Sequence, residues 1–455
     1  MTDNTLMERR DDGDLAGGAG RGRIADVTGI GFGPSNLALA TALAETAPTG
    51  PGRPLEAVFF ERKERFSWHA GMLLEGATMQ ISFLKDLVTL RDPRSPYSFL
   101  NYLHHAGRLS DFINHKLLFP SRVEFHDYLA WVAGFFEEQV SYGSEVVDVR
   151  PVSRGDAVEH MDVVVRQRTA AGERTVVQRT RNLVVATGLE PYLPPDALRS
   201  EHVWHTSELL HRVEQLPSAP RRIVVVGAGQ SAAEAAEFLH TRFASAEICA
   251  VFSRYGYSPS DDSPFANRIF DPGAVDDYCT AAPETRRMLL DYHRNTNYSV
   301  VDPELIDELY RRVYQEKVQG RTRLNILGAT RLTSVEQAGD GVDVTVESLV
   351  TREHTTMRAD CVVYATGYRP ADVRGLLGSM AGLCKADELG RVEADRQYRV
   401  VTEGDVTCGI YLQGATEHSH GISSSLLSNT AVRAGEIADT VRADAAATRG
   451  CDVRT

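Results

Sequence analysis

No stretch of the 455-residue chain approaches the roughly 20 consecutive apolar residues that a membrane-spanning helix needs. The first 23 residues carry charges but no hydrophobic run, which argues against a signal peptide or an anchor there. Hydrophobic residues make up 42% of the chain and charged residues 24%, which excludes disorder as the main state. We therefore expect a folded, cytoplasmic protein with no membrane partner.

Paired cysteines and an excess of basic residues are also missing. The six cysteines stand far apart, without the CxxC spacing of a redox dithiol or a zinc knuckle, so reduced structural thiols are expected. Aspartate and glutamate outnumber lysine and arginine by 62 to 49, which gives a formal net charge of −13. Nucleic-acid binding draws its affinity from clustered cations that neutralise phosphates, so no nucleic-acid partner is expected.

The chain does contain an alternation of apolar, strand-like runs and helical stretches, from about residue 24 to about residue 442. This pattern predicts a parallel sheet covered by helices. A unit of strand, glycine turn and helix occurs twice, and so does the tripeptide Ala-Thr-Gly, at 186–188 and 365–367. We predict an α/β fold with two Rossmann-like dinucleotide-binding domains, in which the Ala-Thr-Gly turns end buried strands and let the chain cross between domains.

The first glycine turn follows the strand-like run 24–30 and precedes a helical run at 37–46. Gly31 allows the sharp turn, and Gly33 lets the backbone approach a diphosphate at the N-terminus of the helix. Asn36 stands where the third glycine usually lies, so an ordinary helix start is the alternative interpretation.

Glu61 strengthens the dinucleotide interpretation. It ends the next predicted strand, 55–60, where an acidic residue accepts hydrogen bonds from ribose hydroxyls. It lies farther from Gly31 than the usual separation of about 20 residues. The alternative is a surface carboxylate at the end of a strand.

The second glycine turn matches the dinucleotide-binding fingerprint more fully. The strand-like run 222–226 leads into Gly227 and Gly229, and Ala232 serves as the third small residue, which allows close packing between helix and strand. The sequence therefore predicts a second dinucleotide site here.

The residue type after the next strand bears on which nicotinamide binds. The predicted strand 246–252 ends in Ser253 and Arg254, where an NAD site would have an acid. A guanidinium pairs bidentately with phosphate, so Arg254 favours a ribose 2′-phosphate and hence NADPH. An exposed arginine after a strand is the alternative.

Two dinucleotide sites in one chain indicate two cofactors that exchange electrons, and a flavin with a nicotinamide is the simplest pair. Five longer motifs then stand out, at 79–91 (MQISFLKDLVTLR), 263–272 (SPFANRIFDP), 294–302 (RNTNYSVVD), 360–368 (DCVVYATGY) and 417–429 (EHSHGISSSLLSN). Together they resemble the flavin-dependent N-hydroxylating monooxygenases, and more narrowly the bacterial L-ornithine N5-monooxygenases. The resemblance extends from about Asp26 to Ile437.

The resemblance implies an FAD domain interrupted by an NADPH domain, with a small substrate-binding region at their junction. Together with the composition of the two ends, it predicts the following divisions: a disordered tail at 1–23, the first part of the FAD domain at 24–200, the NADPH domain with substrate-contacting segments at 201–358, the second part of the FAD domain with closure of the substrate site at 359–442, and a flexible C-terminus at 443–455.

Carried over residue by residue, the resemblance implies the ligand contacts. For FAD they are Gly31, Gly33, Glu61, Trp68, His69, Gln80, Val146, Ser425, Leu426 and Leu427. For NADPH they are Ala228, Gly229, Gln230, Ser231, Arg254, Asn297, Tyr298 and Ser299. For the amino-acid substrate they are Lys85, Asn267, Asn297 and Ser428. Asn36 fits this family's turn, whereas Ser424 stands where many members carry an aspartate.

The implied chemistry needs no nucleophilic side chain and no metal. NADPH reduces FAD, O2 adds to the reduced flavin to give a C4a-hydroperoxide, and the side-chain amine of L-ornithine attacks its distal oxygen. The amine must be uncharged to attack, so desolvation has to lower a pKa that resembles the lysine value near 10.4. Asn297 and Ser428 can orient the amine without holding it charged, while Lys85 pairs with the α-carboxylate and Asn267 orients the α-amino group.

Several of these residues also have ordinary structural interpretations. Lys85 could be a surface lysine, and Asn297 could belong to a polar turn. Trp68 and His69 fit packing beside the flavin better than acid–base catalysis.

No metal site is predicted. His418 and His420 follow Glu417, but no second group of ligands accompanies them, and the serine-rich loop after them fits packing against a cofactor.

Other functions stay open at this point. Lysine is one methylene longer than ornithine, and one methylene discriminates by only about 1–3 kcal/mol, so L-lysine or a diamine is an alternative substrate. A flavin dithiol reductase would need a redox cysteine pair, which the chain lacks, and a non-catalytic sensor would bind both cofactors without forming product. The resemblance also implies a homo-oligomer, such as a tetramer, and a product used for a siderophore or a related natural product.

Overall fold

The computed structural model describes residues 23–45 and 54–452, so all of the predicted tail except Arg23 lies outside the described residues. In chain order the strands are β1 (Ala25–Ile30), β2 (Ala57–Phe60), β3 (Val140–Ser141), β4 (Ser144–Arg154), β5 (Ala157–Thr169), β6 (Gly172–Val185), β7 (Leu189–Pro191), β8 (Val203–His205), β9 (Arg222–Val226), β10 (Glu247–Val251), β11 (Leu324–Leu327), β12 (Thr330–Ala338), β13 (Gly341–Ser348), β14 (His354–Ala359), β15 (Cys361–Tyr364), β16 (Tyr368–Pro370) and β17 (Gly409–Leu412).

The helices occupy the connections between these strands and the end of the chain. They are α1 (Pro34–Glu45), α2 (Phe99–His105), α3 (Leu109–His115), α4 (Arg122–Gly134), α5 (Leu209–Arg212), α6 (Gln230–Arg242), α7 (Ala274–Thr280), α8 (Pro283–Tyr292), α9 (Pro303–Val318), α10 (Val373–Leu376), α11 (Glu417–His420) and α12 (Thr430–Asp452). No helix among the described residues is long and apolar enough to cross a bilayer.

The first domain is built on a mixed sheet with the order β3-β2-β1-β6-β5-β4, in which β17 also pairs with β6. β1 is parallel to β2 and β6 and is buried along its whole length, as expected for a central parallel strand covered on both faces. Strands β4, β5 and β6 form an antiparallel meander. Helices α1 and α12 pack against each other over one face of the sheet.

The second domain contains a parallel sheet with the order β11-β10-β9-β15-β8. The alanine-rich face of α6 packs on this sheet together with Leu309 of α9. The antiparallel sheet β12-β13-β14 covers the other face. The prediction of an α/β protein with two Rossmann-like domains is therefore confirmed.

The predicted domain boundary between 358 and 359 is wrong. β15 lies beyond it, yet this strand pairs in parallel with both β9 and β8 and completes the second sheet. The buried apolar run of β15 would suit either sheet equally well, so the sequence around it does not reveal the partner strands.

The chain crosses between the domains just after each Ala-Thr-Gly turn. β7 and β16 follow these turns and pair with each other in antiparallel fashion. The backbone N–H of Tyr192 also donates to the carbonyl of Gly367 at 2.9 Å. The two crossings therefore lie side by side.

The predicted flexible end at 443–455 is corrected as well. Helix α12 continues to Asp452, and Ala445 is buried. The carboxylate of Asp444 accepts hydrogen bonds from Tyr411 Oη at 3.0 Å and from Arg399 Nη1 at 3.1 Å, which tie this part of the helix to the first domain. Residues 453–455 lie outside the described part of the chain.

The cysteines whose side chains are described are free, as expected for structural thiols. Burial raises the pKa of the Cys249 thiol to about 12 and the pKa of the Cys384 and Cys408 thiols to about 11. These groups are therefore protonated and unreactive at neutral pH.

Candidate active site

A single continuous cavity of about 2220 Å³, here called the central cavity, is lined by residues of both domains. Both glycine turns and both Ala-Thr-Gly turns reach it. Parallel α/β sheets bind their ligands at the carboxyl ends of the strands, and β1 and β9 both end here. The volume exceeds the roughly 300–1,000 Å³ of a site for one drug-sized ligand, so the cavity can hold more than one molecule.

The first glycine turn has a geometry that only glycine satisfies. Gly31 has φ of 81°, and a Cβ on it would lie 2.5 Å from the carbonyl oxygen of Ala186. A Cβ on Gly33, which lines the cavity, would meet no protein atom within 4 Å. The backbone of this turn, at the N-terminus of α1, therefore faces open space that suits the diphosphate of FAD.

The side chain of Asn36, which stands where the third glycine usually lies, stabilises the turn through hydrogen bonds. Its amide Nδ2 donates to the carbonyl oxygen of Gly31 at 2.7 Å, and its Oδ1 accepts from Gln413 Nε2 at 3.2 Å. The buried Asn36 side chain thus connects the turn to the residue that follows β17.

Glu61 lies at the end of β2, as predicted, and lines the central cavity. Its Oε2 accepts a hydrogen bond from the Phe32 backbone N–H at 2.7 Å, and its Oε1 accepts one from the Lys63 N–H at 3.0 Å. These bonds fix the carboxylate beside the glycine turn, where ribose hydroxyls of a bound FAD can reach it.

The second glycine turn repeats the design of the first. Gly227 has φ of 147°, and a Cβ on it would collide with the carbonyl oxygen of Ala365. A Cβ on Gly229 would lie 3.5 Å from the Cα of Ser299, so the predicted NADPH segment around Ser299 packs directly on this turn.

Arg254 differs in position from the other predicted cofactor residues. It is exposed and does not itself line the central cavity. Its Nη1 donates to the carbonyl oxygen of Ser299 at 2.8 Å, and Ser299 does line the cavity. Arg254 therefore stands at the rim, within one residue of the cavity wall.

Polar contacts join the two domains across the cavity. Arg122 of α4 donates to both carboxylate oxygens of the buried Glu234 of α6, at 2.7 and 2.9 Å. Asp302 donates its backbone N–H to Gln230 Oε1 at 2.9 Å, and a hydrogen bond from Gln80 of the first domain opposes the burial that raises the pKa of the Asp302 carboxyl. The predicted FAD residue Gln80 and the predicted NADPH residue Gln230 thus share one partner.

His69 lies in the left-handed region, with φ of 50°, and is flanked by the rings of Trp68 and Tyr368. The His69 side chain is accessible from the cavity, and protein atoms surround it on the other sides. This desolvation, with the positive charges of Arg122 and Lys63, lowers the pKa of His69 to about 4. His69 is therefore uncharged at neutral pH, which fits packing beside a cofactor better than proton donation.

The four predicted substrate residues all line the central cavity, although they come from segments far apart in the chain. Lys85 is half-buried, with its ammonium group 5.8 Å from the ring centroid of Phe270, and no carboxylate of the described residues lies within 4 Å of it. Burial lowers the pKa of Lys85, and Asp271 partly offsets this. Asn267 lies on a 3-10 turn and donates from Nδ2 to the carbonyl oxygen of Asp262 at 2.7 Å.

Asn297 and Ser428 complete this group from the segments 294–299 and 427–429. A small apolar cluster that includes Phe270 and Ile422, with Tyr298 and Leu426 packed against it, holds these segments together. Tyr298 Oη also donates a hydrogen bond to Glu417, whose carboxyl pKa is raised by burial.

The sequence-predicted site residues can now be compared with the cavity wall. Those that line it are Gly31, Gly33, Glu61, Trp68, His69, Gln80, Lys85, Val146, Ala228, Gly229, Gln230, Ser231, Asn267, Asn297, Tyr298, Ser299, Ser425, Leu426, Leu427 and Ser428. The exception is Arg254. Their convergence supports the predicted contacts, which remain predictions at the level of individual residues.

Four polar residues at the site were not anticipated, namely Arg122, Glu234, Asp302 and Arg433. Arg122 and Glu234 are 112 residues apart, so no local motif links them. Asp302 is the last residue of the motif 294–302, and its place in that motif was the one sequence signal for a role at the site. Arg433 is buried on α12 and reaches the first glycine turn through Ser35.

Of the two histidines after Glu417, His420 has structural partners. His420 is buried and stacks on Tyr398 with ring centroids 4.3 Å apart. Its two ring nitrogens contact Ser419 Oγ and the carbonyl oxygen of Asp395, both at 2.9 Å. No cluster of three or more potential metal ligands occurs among the described residues.

With the geometry established, the chain can be compared with known proteins. Residues 23–370 match the family model described as L-lysine 6-monooxygenase/L-ornithine 5-monooxygenase. The L-ornithine N(5)-monooxygenase of Burkholderia cepacia is 42% identical over 409 residues, which is 88% of this chain and 90% of that protein.

Two solved structures extend the comparison to the fold. The ornithine N-hydroxylase of Kutzneria sp. 744, solved with reduced FAD, NADP+ and L-ornithine, superposes with a TM-score of 0.87 at 46% identity, covering 92% of this chain and 99% of that one. The L-lysine 6-monooxygenase of Pseudomonas syringae gives a TM-score of 0.79 at 33% identity, with the same coverage of 92% and 99%.

Proposed function

The chain belongs to the L-lysine 6-monooxygenase/L-ornithine 5-monooxygenase family, and from this premise we propose that it hydroxylates the side-chain amine of L-ornithine at N5, with FAD, NADPH and molecular oxygen. The observation that carries the proposal is the convergence on one cavity of both glycine turns and all four predicted substrate residues. A redox dithiol reductase lacks support, because the described thiols are free and carry no CxxC spacing.

FAD, once bound and reduced by NADPH, supplies the activation of oxygen that the amino acids cannot provide. The protein's own part is to bind, orient and exclude water. The first glycine turn and Glu61 hold the diphosphate and the ribose. The uncharged His69 and the segment 425–427 line the cavity and would pack beside the flavin ring.

NADPH is assigned to the second glycine turn. The N-terminus of α6 at this turn would face the diphosphate, and Ser299 packs against Gly229 of the turn. Arg254 at the rim supplies the cation for the ribose 2′-phosphate, and no acidic residue takes the place that an NAD site needs.

We assign a charged group to the α-carboxylate of L-ornithine and neutral groups to its side-chain amine. Lys85 has no carboxylate partner among the described residues, so its ammonium group is available for the substrate α-carboxylate. Asn267 orients the α-amino group. Asn297 and Ser428 are neutral, so they orient the side-chain amine while leaving it free to lose the proton that blocks its attack.

The preference for ornithine over lysine is supported by similarity. The ornithine enzymes of Kutzneria and Burkholderia cepacia are 46% and 42% identical to this chain, whereas the lysine enzyme of Pseudomonas syringae is 33% identical. The same chemistry on L-lysine or a diamine is the second candidate. We further propose a cytoplasmic homo-oligomer, such as a tetramer, whose product enters the synthesis of a siderophore or a related natural product.

The test is the amount of hydroxylated amine formed per NADPH oxidised by purified, FAD-loaded protein, with L-ornithine, L-lysine and putrescine compared side by side. We expect near-stoichiometric product with L-ornithine and little with the other two. Product mainly from L-lysine or putrescine would overturn the substrate assignment. Oxidation of NADPH that yields only hydrogen peroxide with all three would overturn the proposed hydroxylation.

A further inference from the structure

Arg433 of α12 is almost fully buried, with 1% of its surface exposed, and its hydrogen-bond partners among the described residues are all neutral. Nη1 donates to the carbonyl oxygens of Ser424 at 2.6 Å and Ser423 at 3.4 Å. Nη2 donates to the hydroxyls of Thr430 at 3.3 Å and Ser35 at 3.5 Å. The guanidinium group is thus held in place by oxygens that carry no charge.

No carboxylate of the described residues contacts this cation directly. Within the described residues, no aspartate or glutamate oxygen lies within 4 Å of Arg433. The carboxylate of Glu436, one turn further along the helix, accepts hydrogen bonds from both Nη atoms of Arg396, each at 3.0 Å. Burial lowers the pKa of Arg433, and the charges of Tyr398 and Glu436, which do not contact it, offset this only in part.

Ser424, whose backbone carbonyl oxygen is the nearest hydrogen-bond acceptor of Arg433, has an uncharged side chain. Ser424 is 2% exposed, and neither its Oγ nor the Nε of Arg433 has a hydrogen-bond partner in the described structure. A carboxylate introduced at 424 would stand beside Arg433, which in this chain has no direct carboxylate partner among the described residues.

An unbalanced buried cation is costly unless an anion comes within reach. Ser35 belongs to the first glycine turn and lines the central cavity, so Arg433 reaches the turn through that hydroxyl. The contrast with Arg122 is informative, because that arginine is neutralised bidentately by Glu234. Of these two arginines, only the one behind the first turn has no direct carboxylate contact among the described residues.

We propose that Arg433 is the counter-charge for the diphosphate of FAD at the first glycine turn, acting through Ser35 from the side opposite the cavity. This inference rests on the proposed function only in that FAD occupies this turn. It gives Arg433 two opposite effects: its charge destabilises the protein without FAD and strengthens the binding of FAD.

The test measures FAD affinity by flavin fluorescence and the melting temperature of FAD-free full-length protein. Arg433→Gln keeps a donor for the serine carbonyls but removes the charge. We expect FAD to bind about 10–100-fold more weakly, and the FAD-free protein to melt at an equal or higher temperature. Arg433→Lys keeps the charge and should retain most of the affinity. Arg442→Gln removes a charge from the same helix away from the turn and should leave FAD affinity unchanged.

A second pair of variants tests the same charge without altering the arginine. Ser424→Asp supplies the missing carboxylate, and Ser424→Asn is the neutral control of equal size. We expect the aspartate variant to bind FAD at least tenfold more weakly than the asparagine variant and to melt at a higher temperature without FAD.

The two proposals fail in different ways. FAD affinities within twofold of the wild type in both Arg433→Gln and Ser424→Asp would overturn the role of Arg433. So would a lower melting temperature of FAD-free Arg433→Gln with affinity falling equally in Arg433→Lys, which is the result for a purely structural residue. Wild-type protein that binds FAD but forms no hydroxylated product would instead overturn the proposed function and leave these affinities interpretable.

Discussion

The two glycine turns start from the same backbone design. In each, the first glycine adopts a positive φ and sits against the carbonyl oxygen of the alanine in an Ala-Thr-Gly turn, Ala186 for Gly31 and Ala365 for Gly227. In each, that alanine donates its N–H to the last residue of the strand before the glycine, at 2.9 and 2.8 Å. The chain therefore uses one local solution twice.

The surroundings of the turns then diverge. Beside the first, a buried acid, Glu61, is fixed by two backbone N–H groups. Beside the second, the exposed Arg254 takes the corresponding place after the strand. Behind the first turn lies the unbalanced cation Arg433, whereas the neutralised pair of Arg122 and Glu234 lies beside the second. The two turns thus share one backbone geometry and differ in the charges around them, and we expect those charges to decide which dinucleotide each turn binds.

The largest effect is expected from substituting the first glycine of either turn. Gly31→Ala forces a Cβ against Ala186 and a strained φ, at a cost of about 1–3 kcal/mol in the free energy of unfolding. The protein should lose its bound flavin. Gly227→Ala should keep flavin and raise the KM for NADPH at least tenfold. Flavin content by absorbance and NADPH kinetics measure the two outcomes, and loss of flavin in both variants would contradict the assignment of one cofactor to each turn.

A substitution in the proposed substrate site should leave the binding of both cofactors unchanged. Lys85→Met removes the cation proposed for the substrate carboxylate, and an interaction with a charged partner contributes about 1.5–3 kcal/mol. We expect the KM for L-ornithine to rise about 10–100-fold, with flavin content and the KM for NADPH unchanged. Lys317→Met, an exposed lysine on α9, is the matched control. Normal ornithine kinetics in Lys85→Met would assign the carboxylate to another cation.

Arg254→Ala tests the charge contrast directly. Because Arg254 is exposed, its contribution is smaller, and we expect the preference for NADPH over NADH to fall about tenfold. Arg254→Lys keeps a positive charge and should keep part of the preference. Steady-state kinetics with the two nucleotides measure this, and unchanged selectivity in the alanine variant would remove Arg254 from the site.

The smallest effect is a dependence on pH that should appear for the substrate only. Burial lowers the pKa of Lys85 below its usual value of 10.5, so the cation is present below that lowered pKa and is lost as pH rises through it. The KM for L-ornithine should therefore rise a few-fold at alkaline pH, before an ordinary lysine would titrate. In Lys85→Arg the rise should move to higher pH. A rise at the same pH in that variant would assign the titration to another group.

Local pattern predicted the parts of the fold that depend on neighbouring residues. Predicted strand 222–226 coincides with β9, and the predicted strand around Glu61 corresponds to β2. Helix α1 begins at Pro34, just before the helical run 37–46, and proline fits the first turn of a helix because it has no N–H to leave unpaired there. Strand periodicity and turn chemistry were sufficient for these elements.

Features that depend on distant partners could not be predicted in this way. The partner strands of β15, the pairing of Arg122 with Glu234 and the burial of Arg433 each depend on residues more than 100 positions apart. The substrate residues could be predicted only because the motifs around them are long and resemble a known family. Their four separate segments gave no sign of meeting from spacing alone.

The paired crossings β7 and β16 have a consequence for how such a chain can be assembled. Because Tyr368 and Pro191 are register partners, the inserted domain leaves and rejoins its host at points about 5 Å apart. A segment whose ends lie that close can be gained, lost or exchanged as one cassette with little disturbance to the host sheet. The same closeness makes residues 192–367 a natural unit to excise and replace with a short linker, or to transplant between related chains.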